Sequence, residues 1–263
     1  MGMTAKKVTA IYFSPTKGTR EYVCAIAKEL DAEYTEINLT DREERAQEHF
    51  FGPDELVVIG APVYYGRIPQ VRGGLFGKLH GENTPALFVV SYGNRAFEDA
   101  LLELSDYCAR QGFFGVGAGA FIAPHTFSAR IGEGRPDEKD RKAVACLAEK
   151  TKECLESGKT AALGLPGNRP YREFQTVPFA PKGAKACNQC GVCVRICPAG
   201  AISKDNPRNT DKASCIRCLA CVKECPQKAR SVGGPVFAVA VKQLEGKLMK
   251  IRREPELFFA EKD

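Results

Sequence analysis

Two stretches of the chain share one cysteine spacing: CNQCGVCVRICP at residues 187–198 and CIRCLACVKECP at residues 215–226. In each stretch three cysteines are separated by two residues, a fourth follows after three more residues, and a proline comes directly after it. Every cysteine and proline of the second stretch lies 28 residues after its counterpart, so the segment is an internal duplication. This spacing is typical of thiolates that hold two cubane iron–sulfur clusters.

The duplicated segment resembles a bacterial-type two-cluster ferredoxin, and the resemblance implies a crosswise set of ligands. In such ferredoxins three thiolates surround one cluster, while the fourth, displaced by the extra residue and the proline, ligates the other cluster. One 4Fe–4S cluster would then be held by Cys187, Cys190, Cys193 and Cys225, and the other by Cys215, Cys218, Cys221 and Cys197. The two clusters would join the two halves of the segment.

Zinc and disulfides are the alternatives for so many cysteines. Zinc sites favour two cysteine pairs separated by a longer loop, whereas here four thiols crowd into each short stretch. We expect no signal peptide and no membrane span, because the apolar run at residues 8–13 is short and no later run is long enough. A cytoplasmic, reducing location is therefore expected, where paired disulfides are rare.

The net charge of +6 is unevenly distributed over the 263 residues. The balance is −2 over residues 1–180, +7 over residues 181–230 and +1 over the remainder. Basic residues near the expected clusters can offset the negative charge of thiolate-ligated iron; they are Lys182, Lys185, Arg195, Lys204, Arg217, Lys223, Lys228 and Arg230. A basic surface could also attract an acidic redox partner protein. We expect no nucleic-acid binding, because neither a recognition helix nor interleaved aromatic residues accompany the cations.

The first 160 residues alternate short apolar runs with amphipathic stretches, which predicts a parallel sheet covered by helices. Strands are predicted at residues 8–13, 34–38, 56–61, 86–92 and 116–123. Helices are predicted at residues 19–30, around 97–108, and around 144–154 with a stop at Gly158. Five strands in this alternation predict a doubly wound α/β domain.

The chain is predicted to divide into four parts. Residues 1–160 form the α/β domain, and the Pro- and Gly-rich residues 161–183 form a linker. Residues 184–232 form the cluster domain, a small α+β unit like a bacterial ferredoxin. Residues 233–263 form a tail with a short helix near residues 241–251, and we expect it to pack on the domains.

Open sheets of this kind bind ligands at the carboxyl ends of their strands. After the first predicted strand comes a hydroxyl-rich turn that leads into a helix: Ser14, Pro15, Thr16, Lys17, Gly18 and Thr19. Such a turn can hold a phosphate, or it can simply cap the helix. Here the domain looks like a flavodoxin, whose phosphate loop reads Thr/Ser-x-Thr-Gly-x-Thr and whose ligand is FMN. Ser14, Thr16 and Thr19 match its hydroxyl positions, whereas Lys17 stands where glycine is usual.

The flavodoxin resemblance implies that two later loops hold the flavin ring between them. The third strand leads into Pro62, Val63, Tyr64, Tyr65 and Gly66, and the fourth into Tyr92, Gly93 and Asn94. Tyr64 or Tyr65 would stack on one face of the ring and Tyr92 on the other, while the glycines and Asn94 let backbone approach its edge. The alternative is that the tyrosines only pack the loops and the core.

Other candidate motifs lack the context that they need. Residues 115–120 fit the letters of a dinucleotide-binding fingerprint, but an apolar strand run follows them instead of a helix. The three histidines show no paired metal spacing, and His125 is interpreted as a loop or core residue. The remaining cysteines fall in helical patterns and are predicted to be small buried hydrophobes: Cys24, Cys108, Cys146 and Cys154.

The chain as a whole resembles fusion proteins in which a flavodoxin-like domain precedes a two-cluster 4Fe–4S ferredoxin domain. That resemblance implies electron transfer within one chain between the clusters and FMN, as in an electron-transfer flavoprotein or oxidoreductase. Two alternatives remain open. One is an FMN-dependent reductase of a small acceptor fed by the clusters, and the other is a redox-sensing or interaction module that binds no flavin.

Overall fold

The structure is a computed structural model that describes residues 5–158 and 162–260. In the first part of the chain the elements are β1 (Lys7–Tyr12), α1 (Gly18–Leu30), β2 (Thr35–Asn38), α2 (Arg42–Arg45), β3 (His49–Phe51), β4 (Glu55–Pro62), β5 (Leu79–Gly81), β6 (Thr84–Tyr92), α3 (Ala100–Ala109), β7 (Phe113–Ile122) and α4 (Glu138–Ser157). In the second part they are β8 (Lys182–Gly183), α5 (Val192–Arg195), α6 (Ala220–Lys223), β9 (Arg230–Ser231), α7 (Pro235–Leu248) and β10 (Glu256–Phe258).

A six-stranded sheet in the order β10-β7-β6-β4-β1-β2 forms the centre of the α/β domain. Neighbouring strands pair in parallel, except that β10 is antiparallel to β7. When the parallel strands are counted along the chain, their order is 2-1-3-4-5, which is the doubly wound order of flavodoxin-like folds. The predicted α/β class and the five predicted parallel strands are therefore confirmed.

The sixth strand comes from the end of the chain and was not predicted. Phe258 of β10 pairs with Ala118 of β7, and its ring lies 6.3 Å from that of Phe97 between centroids. A segment of three residues is too short to show a period of its own, and it is placed by the open edge of β7. The predicted five-stranded sheet is thus one strand too small.

Helices cover both faces of this sheet. Tyr22 and Ile26 of α1 share one buried cluster with Leu147 of α4, whereas Leu101 and Leu104 of α3 belong to the cluster on the other face. All nine residues of β6 are buried, as expected for a central parallel strand. Helix α4 ends at Gly158, whose φ of 64° is the left-handed conformation that glycine adopts easily.

The four cysteines outside the duplication are not equally buried, although all four were predicted to be. Cys108 of α3 is fully buried, whereas Cys24, Cys146 and Cys154 are half-buried. These three lie on α1 and α4, which pack on the sheet with one apolar face. A small side chain at the edge of that face keeps some contact with solvent.

The two halves of the cluster domain have the same backbone conformation, as they have the same cysteine spacing. The short helices α5 and α6 start 28 residues apart. Left-handed φ angles between 48° and 75° recur at the same interval in three pairs: Gln189 and Arg217, Gly191 and Leu219, Gly200 and Lys228. Because this conformation is unfavourable for residues other than glycine, the two halves adopt it through a shared architecture and not through local preference.

The segment between the domains is ordered along α3. The Arg169 guanidinium lies 2.6 Å from Asp106, and the Asn168 and Arg172 N–H groups donate to the Asp99 carboxylate. Further along, α7 begins at Pro235, earlier than the predicted tail helix, because proline is favoured in the first turn. Among residues 5–158 and 162–260, no helix has the length and apolarity that a membrane span requires.

Candidate functional site

A cavity of about 530 Å³ lies at the carboxyl ends of β1, β4, β6 and β7, where open parallel sheets bind ligands. Its volume is in the range of small-molecule sites. The structure brings all three predicted loops to its wall. The predicted residues that line it are Ser14, Thr16, Lys17, Gly18, Thr19, Pro62, Val63, Tyr64, Tyr65, Gly66, Tyr92 and Gly93.

Asn94 is the predicted residue that the structure places elsewhere. Its amide donates to the carbonyls of Leu248 and Ile251 at 3.0 and 2.6 Å, and its Oδ1 accepts the Arg253 N–H at 3.2 Å. Asn94 is therefore an anchor for the end of the tail and not part of the cavity wall. Its partners lie more than 150 positions away in sequence, so no local pattern could reveal them.

The loop at residues 14–19 uses two of its three hydroxyls internally. Ser14 Oγ accepts the Arg20 N–H at 3.0 Å and so caps α1, and Thr19 Oγ1 lies 2.7 Å from Ser91 Oγ. The Ser14 hydroxyl proton is not used in that cap, and Thr16 lies on the cavity wall. Hydroxyl donors and the amino terminus of α1 thus converge on one end of the cavity, an arrangement that suits a phosphate.

Lys17 connects this loop to the cluster domain. Its φ of 71° is the left-handed conformation that the glycine usual at this position adopts without strain. Its ammonium lies 2.8 Å from Glu224 Oε1. Because both side chains are largely exposed, the pair contributes at most about 1 kcal/mol. It nevertheless joins the loop to the residue that precedes Cys225.

The three predicted tyrosines line the cavity, but their hydroxyl oxygens are buried. Those of Tyr64, Tyr65 and Tyr92 have no hydrogen-bond partner in the described part of the chain, although that of Tyr65 lies near the Val177 amide. The Tyr92 ring packs on Phe97 at 5.6 Å, and burial raises the pKa of Tyr92 to about 12. Leaving a buried hydroxyl without a partner costs about 1–3 kcal/mol. Because these oxygens are buried away from the cavity, the tyrosines offer a ligand their rings and not their hydroxyls.

His125 lies in the loop after β7, as the sequence predicted, and it lines the cavity. Its Nδ1 accepts the Phe127 N–H at 3.0 Å, which leaves the proton of the neutral ring on Nε2. Burial, assisted by Lys223 and Arg95, lowers the pKa of His125 to about 4. A Cβ added to Gly93 would lie 2.3 Å from this ring, so glycine is required there. The available signal was position, since His125 lies two residues after the fifth predicted strand.

The eight cysteines of the duplication line two further cavities, in crosswise sets. We call them the first cluster site, with Cys187, Cys190, Cys193 and Cys225, and the second cluster site, with Cys197, Cys215, Cys218 and Cys221. These are the sets that the ferredoxin resemblance implied. Over the described ranges, no three His, Cys, Asp or Glu side chains meet closely enough to share a single metal ion; the cysteines surround a space instead.

Backbone amides donate hydrogen bonds to equivalent cysteine sulfurs in the two cluster sites. The Ala201 N–H donates to Cys197 Sγ and the Ala229 N–H to Cys225 Sγ, each at 3.3 Å. Such hydrogen bonds offset negative charge on a thiolate ligand and tune the reduction potential of a cluster. The sulfur donors and their amide partners together fit 4Fe–4S clusters.

The two cluster sites differ in exposure. Cys218 and Cys221 of the second site are buried, whereas Cys190 of the first site is exposed. The second site also adjoins the 530 Å³ cavity, because Ile216 and Arg217 lie between two of its cysteines and line the cavity wall. The Arg217 Nε holds this loop to the linker by donating to the carbonyls of Val177 and Phe179, each at 3.1 Å.

Arg230 is a buried cation that acts on cysteines of both cluster sites. It is 2% exposed and donates to the carbonyls of Pro207 and Pro181 and to Thr210 Oγ1. Its Nε–H has no partner among the described residues. Burial raises the pKa of the Cys193 and Cys221 thiols, and the charge of Arg230 opposes this shift at both. A buried cation without a carboxylate is costly, so anionic thiolates are its natural counter-charge.

Residues 186–230 match the family model described as "4Fe-4S dicluster domain". Solved structures similar to the chain include the metal-soaked Flv1 flavodiiron core from Synechocystis sp. PCC6803, at 16% identity and a TM-score of 0.41. That match covers 59% of this chain and 37% of the flavodiiron core, so the chain spans little more than a third of that protein.

Two flavodoxins are also similar to the chain. One, from the domain Archaea, is 14% identical with a TM-score of 0.35, and the match covers 56% of this chain and 99% of that one. The other, two-electron reduced Megasphaera elsdenii flavodoxin, is 14% identical with a TM-score of 0.37, over 57% and 98% of the two chains. No curated protein matches the chain.

The strand order and the family match together define the class of protein: a flavodoxin-like α/β domain followed by a 4Fe–4S dicluster domain. The chain fits a fusion of a flavodoxin with a ferredoxin, which supports a general role in electron transfer.

Proposed function

We propose that the chain transfers electrons between two 4Fe–4S clusters and an FMN held in the 530 Å³ cavity. The observation that carries this proposal is the shared wall: Ile216 and Arg217 belong to the loop of the second cluster site and also line the cavity. When bound, FMN supplies the exchange of one or two electrons, whereas each cluster exchanges one.

The residues of the cavity divide into two groups in this proposal. Ser14, Thr16, Gly18 and Thr19 hold the phosphate at the amino terminus of α1. The loops at residues 62–66 and 91–93 enclose the ring. The Tyr92 ring already packs in the core against Phe97, so Tyr64 or Tyr65 is the better candidate to cover a face of the ring.

Contacts between the domains hold the second cluster site against the cavity. Arg45 donates to the carbonyl of Pro198, which follows Cys197, at 2.6 Å. The ion pair of Lys17 and Glu224 joins the cavity loop to the end of α6, the helix that carries Cys221. Fixed placement of redox sites favours transfer without a large domain movement, because the supporting side chains already set the geometry.

The test begins with protein purified without oxygen, on which iron, acid-labile sulfide and released flavin are measured. We expect about eight irons and one FMN per chain. Rapid mixing with dithionite then follows cluster and flavin absorption separately. Cys218→Ser should retain FMN but slow flavin reduction at least about tenfold, a change of about 1.4 kcal/mol in the barrier, whereas Cys146→Ser should match the parent protein. Equal flavin rates in the two variants would contradict the proposal.

A reductase of a small acceptor is the second candidate, and ionisable groups on the cavity wall favour it. Besides the neutral His125, Lys223 lines the cavity, and burial lowers the pKa of its ammonium. These groups could orient an acceptor and supply protons to it. This second function requires that the protein reduce an added acceptor with turnover. Lys223→Met should abolish that turnover while the FMN content stays unchanged. If the substitution leaves turnover unaffected, Lys223 does not support a reductase function.

A further inference from the structure

The first cluster site has an outward surface that carries cations and no acidic residues. We define the first-cluster face as residues 184–195 with residues 226–228. Cys190 is exposed within it, as are Lys185, Arg195 and Lys228. An Arg195 guanidinium nitrogen lies 3.5 Å from the carbonyl oxygen of Cys190, so a cation stands beside the exposed ligand. No Asp or Glu occurs at residues 174–204 or 225–244.

The cations of this face form no ion pairs with other described residues of the chain. Within the described ranges, Lys185, Arg195 and Lys228 form no ion pair, whereas the nearby Glu224 is committed to Lys17. The exposed charged side chains of the face are therefore three cations and no carboxylate. Unpaired surface cations of one sign steer an oppositely charged protein toward the patch that they surround.

The first-cluster face lies at one end of the proposed path of electrons, and its positive charge fits a role at that end. The second cluster site adjoins the cavity, so the first cluster site is the end of the relay that opens to solvent. We infer that the first-cluster face is the docking surface for a separate acidic electron-transfer protein, whose redox centre is rimmed by Asp and Glu side chains. The inference rests on the proposed function, because it assigns the outer end of that relay.

The chemistry of the face favours a protein over a nucleic acid. Residues 184–230 contain no Phe, Tyr, Trp or His, so they offer no platform on which bases could stack. Between the cations lie uncharged exposed amides, those of Asn188, Gln189 and Gln227, which suit the polar rim of a transient protein interface. The exposed cluster ligand Cys190 within the face suits electron exchange with a redox protein.

The test uses the full cofactor-loaded chain and, as probe, an acidic plant-type [2Fe–2S] ferredoxin, reduced beforehand, with a potential of about −400 mV. Rapid mixing gives the second-order rate constant of cluster reduction at about 20 mM and about 300 mM salt. The variant combines Lys185→Glu, Arg195→Glu and Lys228→Glu. Its control combines Lys28→Glu, Arg72→Glu and Lys250→Glu, three exposed cations off the face, with the same change in net charge.

For the parent protein and the control, we expect the rate constant to fall at least about tenfold from low to high salt. The face variant should be at least about tenfold slower than the control at low salt and nearly insensitive to salt. Glutamine at the same three positions should give an intermediate loss. Iron, sulfide and the rate of reduction by dithionite must be equal in all variants, which separates docking from cluster assembly.

Equal rate constants for the face variant and the control would overturn the inference. It would also be overturned if the face variant kept its ferredoxin rate and lost binding to a duplex DNA oligonucleotide, since the face would then serve nucleic acid. If cluster reduction depends on the face but electrons never reach the flavin, the docking surface stands and the proposed function fails.

Discussion

The Arg45 guanidinium donates to the carbonyl oxygen of Pro198 at 2.6 Å, across 153 positions of sequence. The same guanidinium donates to the carbonyl of Leu39 and lies over the ring of Phe13, 5.8 Å from its centroid. One side chain thus links the carboxyl end of β1 with the residue after Cys197. The arrangement places the second cluster site against the α/β domain at the end of the sheet where the cavity opens.

Arg45→Met should therefore weaken the junction between the domains. It leaves the carbonyls of Leu39 and Pro198 without their charged donor, at an expected cost of about 1–3 kcal/mol in the free energy of unfolding. Chemical denaturation of the cofactor-loaded protein measures this cost. Arg72→Met, at an exposed position in the segment before β5, is the control and should change stability by less than about 0.5 kcal/mol. Similar losses in both variants would show that the junction does not depend on Arg45.

Removing hydroxyls from the loop at residues 14–19, the proposed phosphate site, should cause a selective loss of flavin. Thr16→Ala combined with Thr19→Ala removes two hydroxyls from the end of the cavity, and Ser91 loses its partner at 2.7 Å. Hydrogen bonds to a charged phosphate are worth about 1.5–3 kcal/mol each, so FMN should bind at least tenfold more weakly by fluorescence titration. Iron content should stay constant. Thr35→Ala, at the opposite end of the sheet, should leave FMN affinity unchanged; unaltered binding in the double variant would refute the assigned phosphate site.

Arg230 should raise the reduction potentials of both clusters, because its buried positive charge stabilises the added electron. Arg230→Met is expected to lower both potentials in a titration followed by electron paramagnetic resonance, and Arg230→Lys should recover part of the shift. A change of about 59 mV corresponds to a tenfold change in a one-electron equilibrium. Lys212→Met, at an exposed position, is the control. A shift confined to one cluster would mean that the guanidinium serves only that site.

Because His125 is buried, the free energy of unfolding should depend on pH. Burial, together with Lys223 and Arg95, lowers its pKa to about 4 in the folded chain, against about 6.5 when unfolded. Between these values the unfolded chain binds the extra proton, so stability falls as the pH falls through this window. From pH 7.5 to 5.5 the loss attributable to His125 should be about 1 kcal/mol.

His125→Gln should remove that part of the pH dependence, since glutamine has no proton to gain. A loss of about 1 kcal/mol lowers the thermal midpoint of a domain of this size by about 2–4 °C. The midpoint of the parent protein should therefore drop more than that of His125→Gln between the two pH values. Parallel pH curves for His125→Gln and the parent would exclude this role.

Features that depend on neighbours in sequence could be predicted from the sequence. The parallel strands, the helices that follow them and the stop at Gly158 arise from periodicity and backbone preference, which act over a few residues. The cysteine sets are a different case, because the duplicated spacing resembles that of two-cluster ferredoxins and this resemblance implied the crosswise sets. The three loops of the cavity were also predicted, since the carboxyl ends of parallel strands meet at one edge.

Contacts between distant segments were decided by the tertiary structure alone. Pairing of β10 with β7, the capture of the tail by Asn94 and the placement of His125 on the cavity wall all join groups that local pattern does not connect. The same holds for the shared wall of Ile216 and Arg217, which determines that the second cluster site, and not the first, adjoins the cavity. The two halves of a duplication carry equivalent ligands, so only packing against the α/β domain makes the second site more buried and leaves Cys190 of the first exposed.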